Sequence, residues 1–196
     1  MSFLAPVTVL RETTIPDNAL APRGCSGQVS GATRLAYGAP VKILVDADAC
    51  PAAVKEIIIR AAERLAVRAI FVANKGIRLP SSRHVSTVRV AMGLDVADGY
   101  IAKSAEAGDL AITADIPLAA ALVARGAIVL DLRGTVYTEE NVGEALALRN
   151  FHHELREGGV MTSGPSGFGS KQAREFAGAF DRELSKAMRG ATGKGV

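Results

Sequence analysis

The chain contains no tryptophan, and aromatic residues make up only 5% of its 196 positions. Nucleobase-stacking platforms are built from aromatic side chains, so recognition of nucleic acid by stacking is poorly supported. Two cysteines, Cys25 and Cys50, are too few for a disulfide framework or a cysteine-rich zinc site. The three histidines, His84, His152 and His153, are too scattered to form an evident triad or metal set. The N-terminus has no basic segment followed by an apolar one, so no secretory signal is expected, and a reducing cytoplasm is the expected location. The most membrane-like window, DLAITADIPLAAALVARGAIVL, is broken by Asp115, Pro117 and Arg125. Charges there are costly in hydrocarbon, so the window reads as strand, turn, helix, turn, strand, and no membrane association is expected. A large charge excess is also missing: the formal charge of +3 permits contact with polyanions without demanding it. There is no internal repeat.

What is present is an ordinary globular balance, 48% hydrophobic and 22% charged, with enough length for one domain and a substantial core. Residues 1–40 mix Pro6, Pro16, Pro22 and Pro40 with Gly24, Gly27, Gly31 and Gly38 and show no sustained period. They read as a flexible extension or a mis-assigned start of translation, ahead of a domain over residues 41–190 and a disordered tail over 191–196. From Val41 the pattern alternates. Strands are predicted at KILVD, VRAIFVA, VSTVRVA, DLAIT and AIVLD, with helices starting near Pro51, Asp98 and Pro117. Short apolar strands separated by helices predict an α/β fold of three layers, α/β/α, with a mostly parallel central sheet and C-terminal helices. NKGIRLPSSRH, between the second and third strands, reads as a short helix or a loop. RGTVYT leads toward a helix with Thr138 as candidate N-cap, and after the glycine-rich GGVMTSGPSGFGSK an amphipathic segment runs from about Gln172 to Met188.

The stretch VKILVDADACP ends a buried strand in two carboxylates, a cysteine and a proline. In an open parallel sheet, ligands bind beyond the carboxyl ends of the strands, where the strand order reverses. Asp46, Asn74 and Asp115 follow predicted strands and belong on that edge; Asp98 opens a helix pointing toward it, with Asp48 and Asp95 close in sequence. Carboxylates converging on one point repel unless a cation or proton neutralises them, and a hard-oxygen set without His or Cys suits Mg²⁺ or Mn²⁺. Each acid also has a structural reading: Asp98 and Asp115 are placed to cap helices. Cys50, at a helix start, is either a thiol activated by the helix dipole or a small buried residue. Lys75, Arg78, Arg83 and Arg89 form a modest basic cluster: Lys75 and Arg78 could hold a nucleic-acid backbone if they line the same edge as the carboxylates, and otherwise the stretch is an ordinary charged loop. GPSGFGSK lacks the ending and the context of a Walker loop; it is either a plain linker or a lid bringing Lys171 or Arg174 to an anion.

VDADACP together with DVADGYIAKSAEAGDLAITADIPLA resembles the YaiI/YqxD family of small bacterial proteins, whose domain is similar to that of the PIN ribonucleases; the likeness covers about residues 41–190. The PIN pattern has an Asp ending the first strand, matched by Asp46. It has an Asp opening a helix as D-x-x-I-A, matched by Asp98-Gly99-Tyr100-Ile101-Ala102, and T-x-D after a later strand, matched by Thr113-Ala114-Asp115. The resemblance implies a metal-dependent phosphodiesterase or ribonuclease using Mg or Mn. Asp46, Asp98 and Asp115 would then be catalytic metal ligands with Asp95 as a further ligand, while Asp48, Asn74, Thr113, Lys75 and Arg78 would stand around the substrate, possible RNA. The Glu that PIN nucleases carry on an intervening helix has no clear counterpart, which leaves open a non-catalytic module binding RNA or protein. A third reading compares Asp46-x-Asp48 with the nucleophile motif of haloacid dehalogenase-like phosphatases, although Gly108-Asp109 and Asp115 depart from that family's downstream spacing.

Overall fold

Ile43, Leu44 and Val45 are consecutive apolar residues, so their side chains point alternately to both faces of a strand and need cover on each. In the computed structural model, which describes residues 41–91, 93, 95–158 and 167–193, all three are fully buried. They form the middle of β1 (Lys42–Asp46), which pairs in parallel with β2 (Arg68–Ala73) on one side and β4 (Leu110–Ile112) on the other. β3 (Val85–Arg89) extends the sheet beyond β2, and β5 (Ile128–Leu130) and β6 (Val136–Tyr137) extend it beyond β4. The order is β3-β2-β1-β4-β5-β6, parallel except for the last pair.

Among the described residues there are five helices, α1 (Ala52–Leu65), α2 (Val96–Ser104), α3 (Ile116–Val123), α4 (Val142–Glu157) and α5 (Ser170–Gly193); α1, α2, α3 and α5 cover the sheet, and α4, with no buried residue, lies against α3. Ile43 and Val45 join a core with α1 and α5, whereas Leu44 joins a second core with α2 and α3. The expected three layers are therefore present. On α5, Phe176, Phe180 and Leu184 recur every fourth residue and are fully buried, with the two rings stacked 5.5 Å apart. Each such burial contributes roughly 1.5–3 kcal/mol, enough together to seat α5 on the sheet despite its exposed charges.

The chain lays down β1, β2 and β3 in one direction, then crosses through α2 to the other side of β1 and continues with β4 and β5. The strand order thus reverses between β1 and β4, which opens a crevice at their carboxyl ends.

Residues 74–84 contain no helix; they form a loop whose Ile77 and Leu79 pack against the α1–α5 core. Thr138 is not a helix N-cap. RGTVYT makes a hairpin into β6, and α4 starts only at Val142, after Asn141 has tied the turn by accepting from the Thr138 N–H at 2.9 Å and donating to Val136 O at 2.9 Å. The expectations for residues 1–40, for 159–166 of the glycine-rich piece and for 194–196 lie outside the described residues, and α5 runs past the boundary expected at 190. No helix among the described residues is long and apolar enough to cross a membrane.

The hairpin depends on Gly134, whose φ of +92° is a left-handed conformation and whose missing Cβ would stand 2.8 Å from Glu175 O in α5. Gly134→Ala adds backbone strain to a clash with a helix that cannot shift alone, and is expected to destabilise the fold by about 3 kcal/mol. A fall in the urea midpoint at unchanged slope checks it.

Candidate acidic site at the carboxyl edge of the sheet

Because Val45 lies opposite Ile112, the residues that follow each strand emerge side by side: Asp46 ends β1 and Thr113 follows β4. Thr113, only 1% exposed, donates its hydroxyl to Asp46 Oδ2 at 3.2 Å and accepts from the Asp115 N–H at 3.0 Å. One hydroxyl therefore links the two strand ends. Asp115 is the N-cap of α3, accepting from the Leu118 N–H at 3.2 Å with Pro117 just inside the helix, so its capping role is real.

Asp98 is different. It lies within the first turn of α2, behind Asp95 as N-cap, and among the described residues its carboxylate takes no hydrogen bond. It does not cap. Burial pushes its pKa up to about 6, and the carboxylates of Asp115, Asp46 and Asp95 push the same way. Asp46 is also raised, first by burial; the Thr113 hydroxyl and the Asp48 N–H oppose the shift, while the charges of Asp48 and Asp115 add to it. Asp115 thus acts on both Asp46 and Asp98, and Asp46 on Asp98, so the three carboxylates lie within electrostatic reach of one another and repel.

Asp48 is exposed and accepts from the Asn74 N–H at 2.8 Å, which fastens the loop after β1 to the end of β2. Asn74 Oδ1 is buried without a hydrogen-bond partner. Asp95 is exposed in a left-handed conformation, φ 60°, next to Asp98. Lys75 and Arg78 are exposed beyond Asn74, and neither is among the charges that shift Asp46 or Asp98.

Cys50 is not an activated thiol. It is 6% exposed, and burial drives its pKa up to about 12, with Lys55 opposing and Asp46 reinforcing; the helix start does not outweigh desolvation. Lys55, half-buried in the first turn of α1, is among the described residues the one cation that acts on this thiol, and it was not foreseen from the sequence. Asp109, which a phosphatase reading would need near Asp46, lies at the opposite edge of the sheet. There it accepts from the Lys42 N–H at 3.1 Å and pairs with Lys42 Nζ at 3.1 Å.

Among the described residues, no three His, Cys, Asp or Glu side chains converge closely enough to cage an ion. That argues against a closed zinc-type centre. Mg²⁺, and Mn²⁺ by the same hard-oxygen preference, is instead commonly held by one or two carboxylates, several waters and substrate phosphates. An all-oxygen donor set in which burial and neighbouring carboxylates raise the pKa of Asp46 and Asp98, beside an unpartnered buried amide oxygen, fits that mode of binding in kind.

The sequence profile described as "Uncharacterized BCR, YaiI/YqxD family" matches residues 44–186. The chain is 56% identical over 149 residues to the UPF0178 protein of Myxococcus xanthus, covering 76% of this chain and 97% of that protein. A UPF0178 protein of Geobacter sp. is 53% identical over the same shares, and one of Dechloromonas aromatica is 48% identical over 74% of this chain and 97% of its own length. No solved structure gives a significant match. On the extent of the profile match and the identity to these relatives, the chain belongs to the YaiI/YqxD family.

Proposed function

We propose that the protein is a metal-dependent phosphodiesterase acting on RNA, working at the crevice between β1 and β4. The observation that carries the reading is the mutual repulsion of Asp46, Asp98 and Asp115, two of them with raised pKa, at the point where the strand order reverses. Keeping such a set together costs stability, and a divalent cation offsets that cost. The likeness to PIN nucleases at Asp46, at Asp98-Gly99-Tyr100-Ile101-Ala102 and at Thr113-Ala114-Asp115 supports the same reading.

In this proposal Asp46, Asp98 and Asp115 line the site for Mg²⁺ or Mn²⁺, one or two of them binding the ion directly and the others, with Asp95, acting through its water shell. When bound, the ion would supply charge to the phosphate oxygens and activate water. Thr113 fixes the rotamer of Asp46, Asp48 and Asn74 hold the neighbouring loop, and Lys75 and Arg78 stand on the side from which a phosphate backbone approaches.

A non-catalytic RNA-binding module is the second reading, favoured by the missing Glu counterpart and by carboxylates that do not converge on one point. A phosphatase of the haloacid dehalogenase type is disfavoured by the distant Asp109. Incubating labelled RNA with the protein in Mn²⁺ and in EDTA separates the readings. Cleavage in Mn²⁺ alone is expected, binding without turnover supports the module, and neither binding nor turnover overturns both.

A further inference from the structure

From Ala66 to Leu94 the chain has no Asp or Glu, yet it carries Arg68, Lys75, Arg78, Arg83 and Arg89. The described part of this stretch forms β2, the 74–84 loop and β3, the outermost strand on that side of the sheet. All five cations are exposed, and among the described residues none has an ion pair or a side-chain hydrogen bond. Elsewhere among the described residues Lys42, Arg60, Arg64, Lys171 and Lys186 pair with acids, while Lys55, Lys103, Arg156 and Arg182 do not, so it is the run of cations without an intervening acid that sets this stretch apart.

The fold turns this composition into a line. Ala69 lies opposite Val85, so Arg68 and Arg83 sit together at the amino end of the edge. Ala73 lies opposite Arg89, so Arg89 and Lys75 sit together at the carboxyl end, beside Asn74 and the Asp48 that its N–H contacts. Arg78 lies on the loop that joins the two strands. β3 spans about 17 Å at the usual rise per residue, so the cations run the height of the sheet and finish near the Asn74–Asp48 contact, on the same carboxyl edge as the crevice and two strands away from β1.

We infer that the β3 edge with the 74–84 loop is a docking track for the phosphate backbone of single-stranded RNA, leading it to the acidic crevice; the RNA assignment rests on the function proposed above. Protecting a sheet edge from self-association needs only scattered charge, for which Lys is the common choice. Here four of the five cations are Arg, whose planar fork matches phosphate, and no acid interrupts them. A lipid surface is a poorer partner because, among the described residues, the patch presents no large exposed apolar side chain: Ile77 and Leu79 are partly buried against the core. With few aromatics, contacts to the backbone rather than the bases dominate, so binding is indifferent to sequence and sensitive to salt.

The test is fluorescence anisotropy of labelled oligouridylate in EDTA across a salt series, comparing the full chain with Arg83→Glu/Arg89→Glu and with Arg149→Glu/Arg156→Glu on α4. Five phosphate contacts give a slope of log affinity against log salt of about −3.5 for the wild type, and loss of two gives about −2. The edge variant is expected to bind at least about tenfold more weakly at low salt, with the α4 variant near wild type and both retaining their melting temperature. Equal losses in both variants, or an edge variant that binds like wild type, would overturn the proposal. So would vesicles containing phosphatidylglycerol binding through Arg83 and Arg89 when oligouridylate does not. Because EDTA removes any metal, edge-dependent binding without Mn²⁺-dependent cleavage leaves the track standing and sinks the nuclease, whereas cleavage unaffected by the edge variant does the reverse.

Discussion

Asp46→Asn is expected to lower Mn²⁺-dependent RNA cleavage by at least about 100-fold while leaving the fold intact. Asparagine keeps the shape of the side chain, and its Oδ1 can still accept from the Thr113 hydroxyl, so the strand-end link between β1 and β4 survives. What is lost is the charge. Burial and the neighbouring carboxylates of Asp48 and Asp115 already hold the Asp46 pKa above its ordinary value, so that charge is a cost to the folded state rather than a support. Loss of function together with an unchanged or higher melting temperature therefore distinguishes an electrostatic role from a structural one. Alanine would confound the two by orphaning the buried Thr113 hydroxyl. Mn²⁺ affinity by calorimetry should fall with the activity; if affinity and cleavage both stay at the wild-type level, the crevice is not the active centre.

Much of this arrangement was legible in the sequence because strand ends are easy to read. An apolar run such as KILVD or DLAIT stops where the core stops, and the polar residue that follows must emerge at the sheet edge. That is why Asp46 and Asp115 could be assigned to one edge before the Thr113 hydroxyl was seen to link them, 3.2 Å from Asp46 Oδ2 and 3.0 Å from the Asp115 N–H. The two aspartates at helix starts could not be told apart, because capping depends on whether a side chain reaches a free N–H, a matter of one residue of register. Asp115 stands at the cap and Asp98 three residues beyond one, which leaves Asp98 with neither a helix N–H nor any other described hydrogen-bond donor. The same limit explains Thr138: a two-residue edge strand gives no periodic signal, so the hairpin through Gly134 was hidden inside what read as a helix approach. The unpartnered Asn74 oxygen and the placing of Arg68 near Arg83 and of Lys75 near Arg89 depend on which strands neighbour each other, which no local pattern encodes.

Asp98→Asn should stabilise the metal-free protein at neutral pH, and the sign depends on the direction of its pKa shift. An unfolded Asp titrates near 3.8, whereas in the fold Asp98 titrates at about 6. Between those values the folded state binds more protons than the unfolded one, so stability falls as pH rises through the window, and the full cost is present above it. This is the reverse of a salt-bridged carboxylate. A shift of that size would nominally correspond to about 3 kcal/mol, but Asp98 is partly open to solvent and screened, and about 1 kcal/mol is the expected gain for asparagine at pH 7 in EDTA. The melting temperature should rise by about 2–4 °C at pH 7, with most of the gain gone by about pH 4 and the rest by about pH 3, where wild-type Asp98 is protonated in both states. Saturating Mn²⁺ should invert the order. A cation at about 100 times its dissociation constant stabilises the wild type by about 2.7 kcal/mol, and a variant missing one charged ligand recovers only part of that. Melting curves at the two pH values, with EDTA and with Mn²⁺, contain the whole comparison. A variant less stable than wild type in EDTA at pH 7, or an equal Mn²⁺ shift in both proteins, would mean that Asp98 serves the fold and not a cation.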